Sequence, residues 1–259
     1  MKIKKLVIAG AIALLAVGAS FSTSTDVQAK SKVVTIKATK KSQVAKAKKK
    51  AWSSYKKNKA YRVTGKHASK VKTYVKSQVM KQNNIKWCPT PTTSSKKSLK
   101  QYKEGVKYLG LIVSGINAEF NNAWTTYNVY FTQYNKVTES EVMSEVIVKY
   151  CSPHMDYLRG EPDICPVTDY KKIYKGTYKR DCGGYTRAIV NIIQAMGYKA
   201  RKEETSPTHI RPQMQVQDVD GNDYWRTTSP FDPVGMTATQ VFIPISIEDM
   251  NWRIEVGAY

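Results

Sequence analysis

The sequence predicts an α+β protein, and three observations carry that expectation. Short stretches with weak apolar–polar alternation are interleaved with stretches whose apolar residues recur every three or four positions. Turn residues separate them at short intervals. Charge is also unevenly divided. Residues 30–103 contain 23 Lys or Arg and no Asp or Glu, whereas residues 104–259 contain 16 and 19, for local net charges of +23 and −3. Such asymmetry predicts two parts, only one of which has an electrostatic partner.

The chain opens with Lys2, Lys4 and Lys5, followed by the apolar run LVIAGAIALLAVGAS and the small-residue site Val27-Gln28-Ala29 before Lys30. That order is expected of a secretory signal peptide at residues 1–29. The run falls short of the roughly 20 residues that a spanning helix needs. No second run follows it, and no cysteine near the site could accept a lipid. The expected mature chain begins near Lys30, soluble and secreted.

Residues 30–103 read as a small Lys-rich α+β module with a linker. KVVTIKAT alternates like a strand and AKAKKKAWSSYKKNKA reads as a basic helix. YRVTG is strand-like, and the next stretch spaces Val71, Tyr74, Val75 and Val79 as a helix. With no acidic residue among them, the lysines repel one another, unlike an ordinary surface that mixes both signs. Trp87–Ser98 is rich in Pro, Ser and Thr and reads as a loop or linker.

Residues 104–259 form the second part. KYLGLIVSGI and YNVYFTQYNKV are expected as strands, and SEVMSEVIVKY as a helix. CSPHMDYLRGEPDICPVTD is turn-rich and expected as a surface excursion. MQVQDV and DYWRTT flank Asp220-Gly221-Asn222 and predict a hairpin. Asp-Gly turn chemistry explains DVDGND better than a calcium loop, whose distal glutamate is missing. The cysteines show no C-x-x-C spacing, so no metal and no cofactor are expected. Outside the cytoplasm the four cysteines permit three pairings, of which Cys151–Cys165 is the simplest by sequence separation.

KRDCGGYTRAIVNIIQAMGYKAR places Cys182 at the start of an amphipathic helix, with Tyr185, Ile189, Ile192, Ile193 and Met196 on one face and Gly197 as the stop. Helix N-termini favour thiolate. Lys179 and Arg180 are expected to add positive charge, and Gly183 and Gly184 to leave room for a substrate carbonyl to meet backbone N–H groups. A buried structural cysteine or a disulfide partner is the alternative.

This stretch resembles the cysteine segment of bacterial transglutaminase-like proteins, which has the form G-x-C-x-G-Y-A followed by an apolar helix and G-hydrophobic-x-A-R. The resemblance covers some twenty residues. The Lys-rich module also looks like the N-terminal segments of some exported Gram-positive members. The resemblance implies a papain-like fold, with a cysteine-bearing helix packed on an antiparallel sheet that carries His and Asp. It further implies attack of Cys182 on a Gln amide or peptide carbonyl, giving a thioester that an amine or water resolves.

Counted from the hairpin turn, the family's His position falls near Pro212 or Gln213, and its Asp position at Ser229. Two readings stay open. An irregular strand start near Pro212 brings His209 to Cys182, with Asp232 as orienter. In the other, the triad is broken and the domain is a binding or scaffold protein, because strand offsets change facing. His154 is a distant alternative base, and His67 lies in the basic module. The expected partners are a protein or peptide substrate and an anionic cell-wall polymer or lipid surface. Specific nucleic-acid reading is not expected, since Lys outnumbers Arg by 22 to 1 in residues 30–103 and acts as a point charge.

Overall fold

The computed structural model describes residues 33–129, 132 and 136–229; the expected signal peptide lies outside them. β1 (Val34–Lys37) and β2 (Tyr61–Thr64) form a parallel pair, with Val34 opposite Tyr61 and Ile36 opposite Val63. A parallel pair needs a crossover of about a dozen residues, and α1 (Val44–Lys56) supplies it. α1 turns Ala47, Ala51 and Tyr55 inward, and α2 (Ala68–Gln82) turns Val71, Val75 and Val79 inward. The lysines stay on the outer faces. Several hold their ammonium over an aromatic ring, as Lys48 Nζ does over Tyr74 at 5.3 Å and Lys76 Nζ over Trp87 at 5.4 Å.

α3 (Lys96–Val129) replaces the first expected strand and the beginning of the second. Residues 130–131 and 133–135 of the second lie outside the described residues. The reason for the difference is spacing. Val106, Leu109, Ile112, Val113, Ile116 and Phe120 are all buried at intervals of three or four, the period of a helix. The β-branched Val and Ile among them favour strands only weakly, and burial on one helical stripe outweighs it. α3 packs against α4 (Glu139–Cys151), α5 (Asp169–Tyr174) and α6 (Cys182–Met196). α4 begins with a capping box, in which Thr138 N donates to Glu141 Oε2 at 2.8 Å.

β3 (Met155–Tyr157) and β4 (Tyr178–Arg180) form a second short parallel pair. β5 (Ala200–Ser206), β6 (His209–Gln217) and β7 (Asp223–Thr227) form an antiparallel sheet. The expected hairpin is β6–β7. Gly221 has φ +85°, and Asp218 accepts backbone N–H bonds from Asp220 and Asn222 at 3.0 and 2.8 Å. These donors, with Asn222 first, hold the Asp218 carboxyl below its ordinary range. The mixed helix-and-sheet composition agrees with an α+β class.

The described residues all fall in one compact unit. The change in charge at 103/104 falls inside α3, and the core continues across it. Tyr55 meets Tyr102 edge-on at 6.4 Å, and Lys103 Nζ donates to Tyr55 O and Asn58 Oδ1 at the end of α1. The Pro/Ser/Thr-rich stretch is a loop up to Ser95, and it is packed: Thr93 exchanges two hydrogen bonds with Tyr61. Among the described residues, no helix is long and apolar enough to cross a membrane.

Gly105 marks the tightest approach to α3. A Cβ there would lie 2.0 Å from the carbonyl oxygen of Val167. Gly105→Ala gains about 1 kcal/mol of helix propensity, yet the obstacle is backbone and cannot swing away. Steric cost prevails, and a net loss of about 1–3 kcal/mol is expected in urea unfolding.

Candidate active site

α6 is specified locally at both ends. Asp181 is its N-cap and accepts from Gly184 N at 3.0 Å. Gly197 closes it with φ +104°, a left-handed cap that favours glycine. Tyr185, Ala188, Ile189, Ile192 and Ile193 are buried against the core. The first turn is held from two sides, by Tyr178 OH donating to Gly184 O at 2.9 Å and Thr186 Oγ1 donating to Ile210 O at 3.1 Å.

Cys182 is the first residue of this helix and is half-buried. Its Sγ lies 3.8 Å from the carbonyl oxygen of Thr208. That carbonyl belongs to the peptide linking Thr208 to His209, so the start of β6 runs directly beside the cysteine. β5 carries the strand irregularity, between Glu204 and Ser206, while β6 itself continues regularly from His209. Thr205 Oγ1 donates to His209 O at 3.2 Å.

Successive side chains of a strand point to opposite faces. Met214 and Val216 are fully buried in the core, which assigns Ile210 and Pro212 to the same row. His209 falls on the other row with Arg211, Gln213 and Gln215. Arg211 pairs there with Glu203, and Gln213 Oε1 accepts from Arg201 Nε at 2.8 Å. Ser229 is buried, and Asp232 lies outside the described residues. His154 stacks on Tyr150 at 4.6 Å at the end of α4, with Nδ1 2.6 Å from Tyr150 O. His67 stands at the N-cap position of α2 in the Lys-rich part, with no capping hydrogen bond from its side chain.

Three sequence expectations are corrected at this site. The positive flank is neutralised: Lys179 pairs with Asp156 at 3.1 Å, and Arg180 with Glu161 at 2.7 Å and Asp169 at 3.0 Å. The room at the two glycines is occupied. A Cβ on Gly183 would lie 1.6 Å from Asp163 Oδ1, and one on Gly184 would lie 2.6 Å from Arg180 Cβ. Gly184 N–H is already engaged by Asp181. Finally, the Cys151–Cys165 disulfide is not formed, and all four cysteines are free thiols.

Those other thiols are poor nucleophiles. Burial pushes Cys151 and Cys165 up from 9.0 to about 12, with the nearby carboxylates of Glu119 and Asp169 respectively adding to the effect. Burial also raises Cys88, which accepts from Tyr102 OH at 3.4 Å. Alkylation of the unreduced protein in denaturant is expected to modify four cysteines. A bridged pair would leave two unmodified.

The residues missed from the sequence lie in the acidic strap, residues 158–168. Arg187 on α6 reaches Asp163 with Nε and Nη2 at 3.2 and 3.1 Å, and Nε also donates to Asp163 O at 2.9 Å. Leu158 N donates to Arg180 O at 2.8 Å. Three carboxylates in EPDICPVTD opposite two arginines in RDCGGYTR were the available signal. Among the described residues, no group of three His, Cys, Asp or Glu is placed to hold a metal ion. No protein-family model, curated protein or solved structure matches the chain.

Proposed function

We propose that the chain is a secreted transglutaminase-like protein in which Cys182 forms a thioester with a peptide or protein amide. The Lys-rich segment holds it at an anionic surface. The observation that supports this reading most directly is the contact of Cys182 Sγ with the Thr208 carbonyl, which places the helix-opening thiol beside the strand start that carries His209. In this reading His209, the first residue of β6, turns out of its strand row toward Cys182, the Cys182 proton passes to its imidazole, and the sulfur bonds to the amide carbon. The N–H groups of Cys182 and Gly183 have no acceptor within the helix and face the developing oxyanion. The C–N bond then breaks, and the departing amine takes the proton from the imidazolium. An amine or water resolves the thioester by the reverse route, with Asp232 orienting the imidazole.

A second reading is favoured by a specific observation. Asp163 and Arg180 fill the space over Gly183 and Gly184, and Pro212 stands on the strand row that faces α6. In that reading the domain binds or scaffolds at the cell surface without turnover.

Incorporation of a fluorescent primary amine into a glutamine-bearing protein separates the two. Catalysis requires incorporation by the wild type and its loss in Cys182→Ala. Equal, background-level labelling by both proteins sinks the enzymatic reading. Surface attachment is tested apart, by sedimentation with anionic vesicles or cell-wall polymer. Binding is expected to vanish in molar salt, where charges are screened beyond about 3 Å. Retention there excludes the electrostatic tether.

A further inference from the structure

We propose that the acidic strap is an internal occupant of a carboxylate-recognition site on α6, and that the external ligand is an acidic peptide segment that takes the place of Asp163 on Arg187. The proposal rests on the reading of Cys182 as the reactive centre and specifies which peptides reach it. The grip of Arg187 is that of a peptide binder. Nε and Nη2 span the Asp163 carboxylate while Nε also holds its main-chain carbonyl, so one guanidinium reads both the side chain and the backbone of a single residue. The carboxylate then rests against Gly183, the residue after Cys182, in a space that any larger residue would close. A peptide carrying Asp or Glu at this point runs past the cysteine.

The strap is suited to being displaced. The Asp163 and Arg187 side chains are 49% and 39% exposed, and an ion pair that open shifts an equilibrium by no more than about fivefold. Leu158 and Ile164 stand exposed, so the strap up to Ile164 buries few apolar groups, whereas Cys165 and Val167 pack on the core and hold its far end in place. Arg180, by contrast, stays anchored through the buried Asp169 when the Glu161 contact opens. A tethered occupant competes at an effective concentration on the order of millimolar. The external ligand must therefore be locally concentrated or polyvalent, as on a surface.

Alkylation of Cys182 in the full chain, followed by peptide mass spectrometry, tests this with two reagents of similar size. Iodoacetate carries a carboxylate and iodoacetamide does not. Asp163→Ala and Asp163→Asn are expected to raise the iodoacetate-to-iodoacetamide rate ratio at Cys182 about fivefold. Arg187→Gln added to Asp163→Ala should return the ratio to the wild-type value. A synthetic peptide of residues 161–164 should slow the iodoacetate reaction of Asp163→Ala and leave the double variant unaffected. An unchanged ratio, or equal acceleration by both reagents, overturns the proposal, the latter by making the strap a mere cover. Slow reaction of wild-type Cys182 with iodoacetamide, no faster than an exposed free thiol, counts against the nucleophile reading alone, because the ratio still reports on Arg187.

Discussion

The protein is expected to unfold cooperatively in alkali, between about pH 10 and 12, because its core holds several phenols and thiols in their protonated forms. Burial pushes Tyr61 and Tyr150 up from 10.0 to about 12 and raises Tyr55, Tyr102, Tyr170 and Tyr178 as well. Cys151 and Cys165 rise to about 12 from 9.0. In each case the folded value exceeds the unfolded one. The stabilisation is therefore complete below the unfolded value and is lost as pH climbs toward the folded one. A shift of two units corresponds to about 3 kcal/mol, and a domain's whole stability is about 5–15 kcal/mol. Three or four such groups suffice to exhaust it. Helical circular dichroism and tyrosinate absorbance should change together in one steep step. A smooth tyrosinate titration near pH 10 with the helices intact contradicts the burial argument.

Arg180→Met is expected to cost about 3–5 kcal/mol, because it strands a buried carboxylate. The Asp169 side chain is 1% exposed and receives Arg180 Nη2 at 3.0 Å. Lys172 Nζ also reaches Asp169, at 3.2 Å, but from a half-exposed position where water screens it. It offsets part of the loss and places the effect nearer the lower end. Asp169→Asn in the same chain should restore much of the stability, since it removes the charge that has lost its partner. Urea midpoints of the two single variants and the double variant measure this. A loss below about 1 kcal/mol for Arg180→Met means the pair behaves as a surface contact. Since Arg180 also flanks Gly184, this variant loosens the first turn of α6 and the strap together.

Much of the local structure was legible. α2, α4 and α6 follow from apolar residues at helical intervals, α1 from its Lys- and Ala-rich stretch, and the β6–β7 turn from Asp220-Gly221-Asn222. The start of α6 followed from Cys182-Gly183-Gly184 and its end from Gly197. The segment around residues 107–116 was misread because Leu, Ile and Val suit both strands and buried helices. Only the three-to-four spacing from Val106 to Phe120 distinguishes them, and it emerges over a window longer than one strand.

The sequence alone determined where Cys182 stands, because a helix start is set by residues adjacent in the chain: an Asp181 cap, small residues after it and an apolar face beyond. It also determined the Lys-rich character of residues 30–103, which is composition and needs no fold. What surrounds Cys182 was decided only by tertiary structure. Asp163 lies about twenty residues from Gly183 in sequence yet fills its missing Cβ, and Arg180 spends its charge on Asp169 and Glu161. Charge and free space at a site are sums over neighbours from every element packed there. Local spacing names the residue at the centre, and packing sets the field and the room in which it acts.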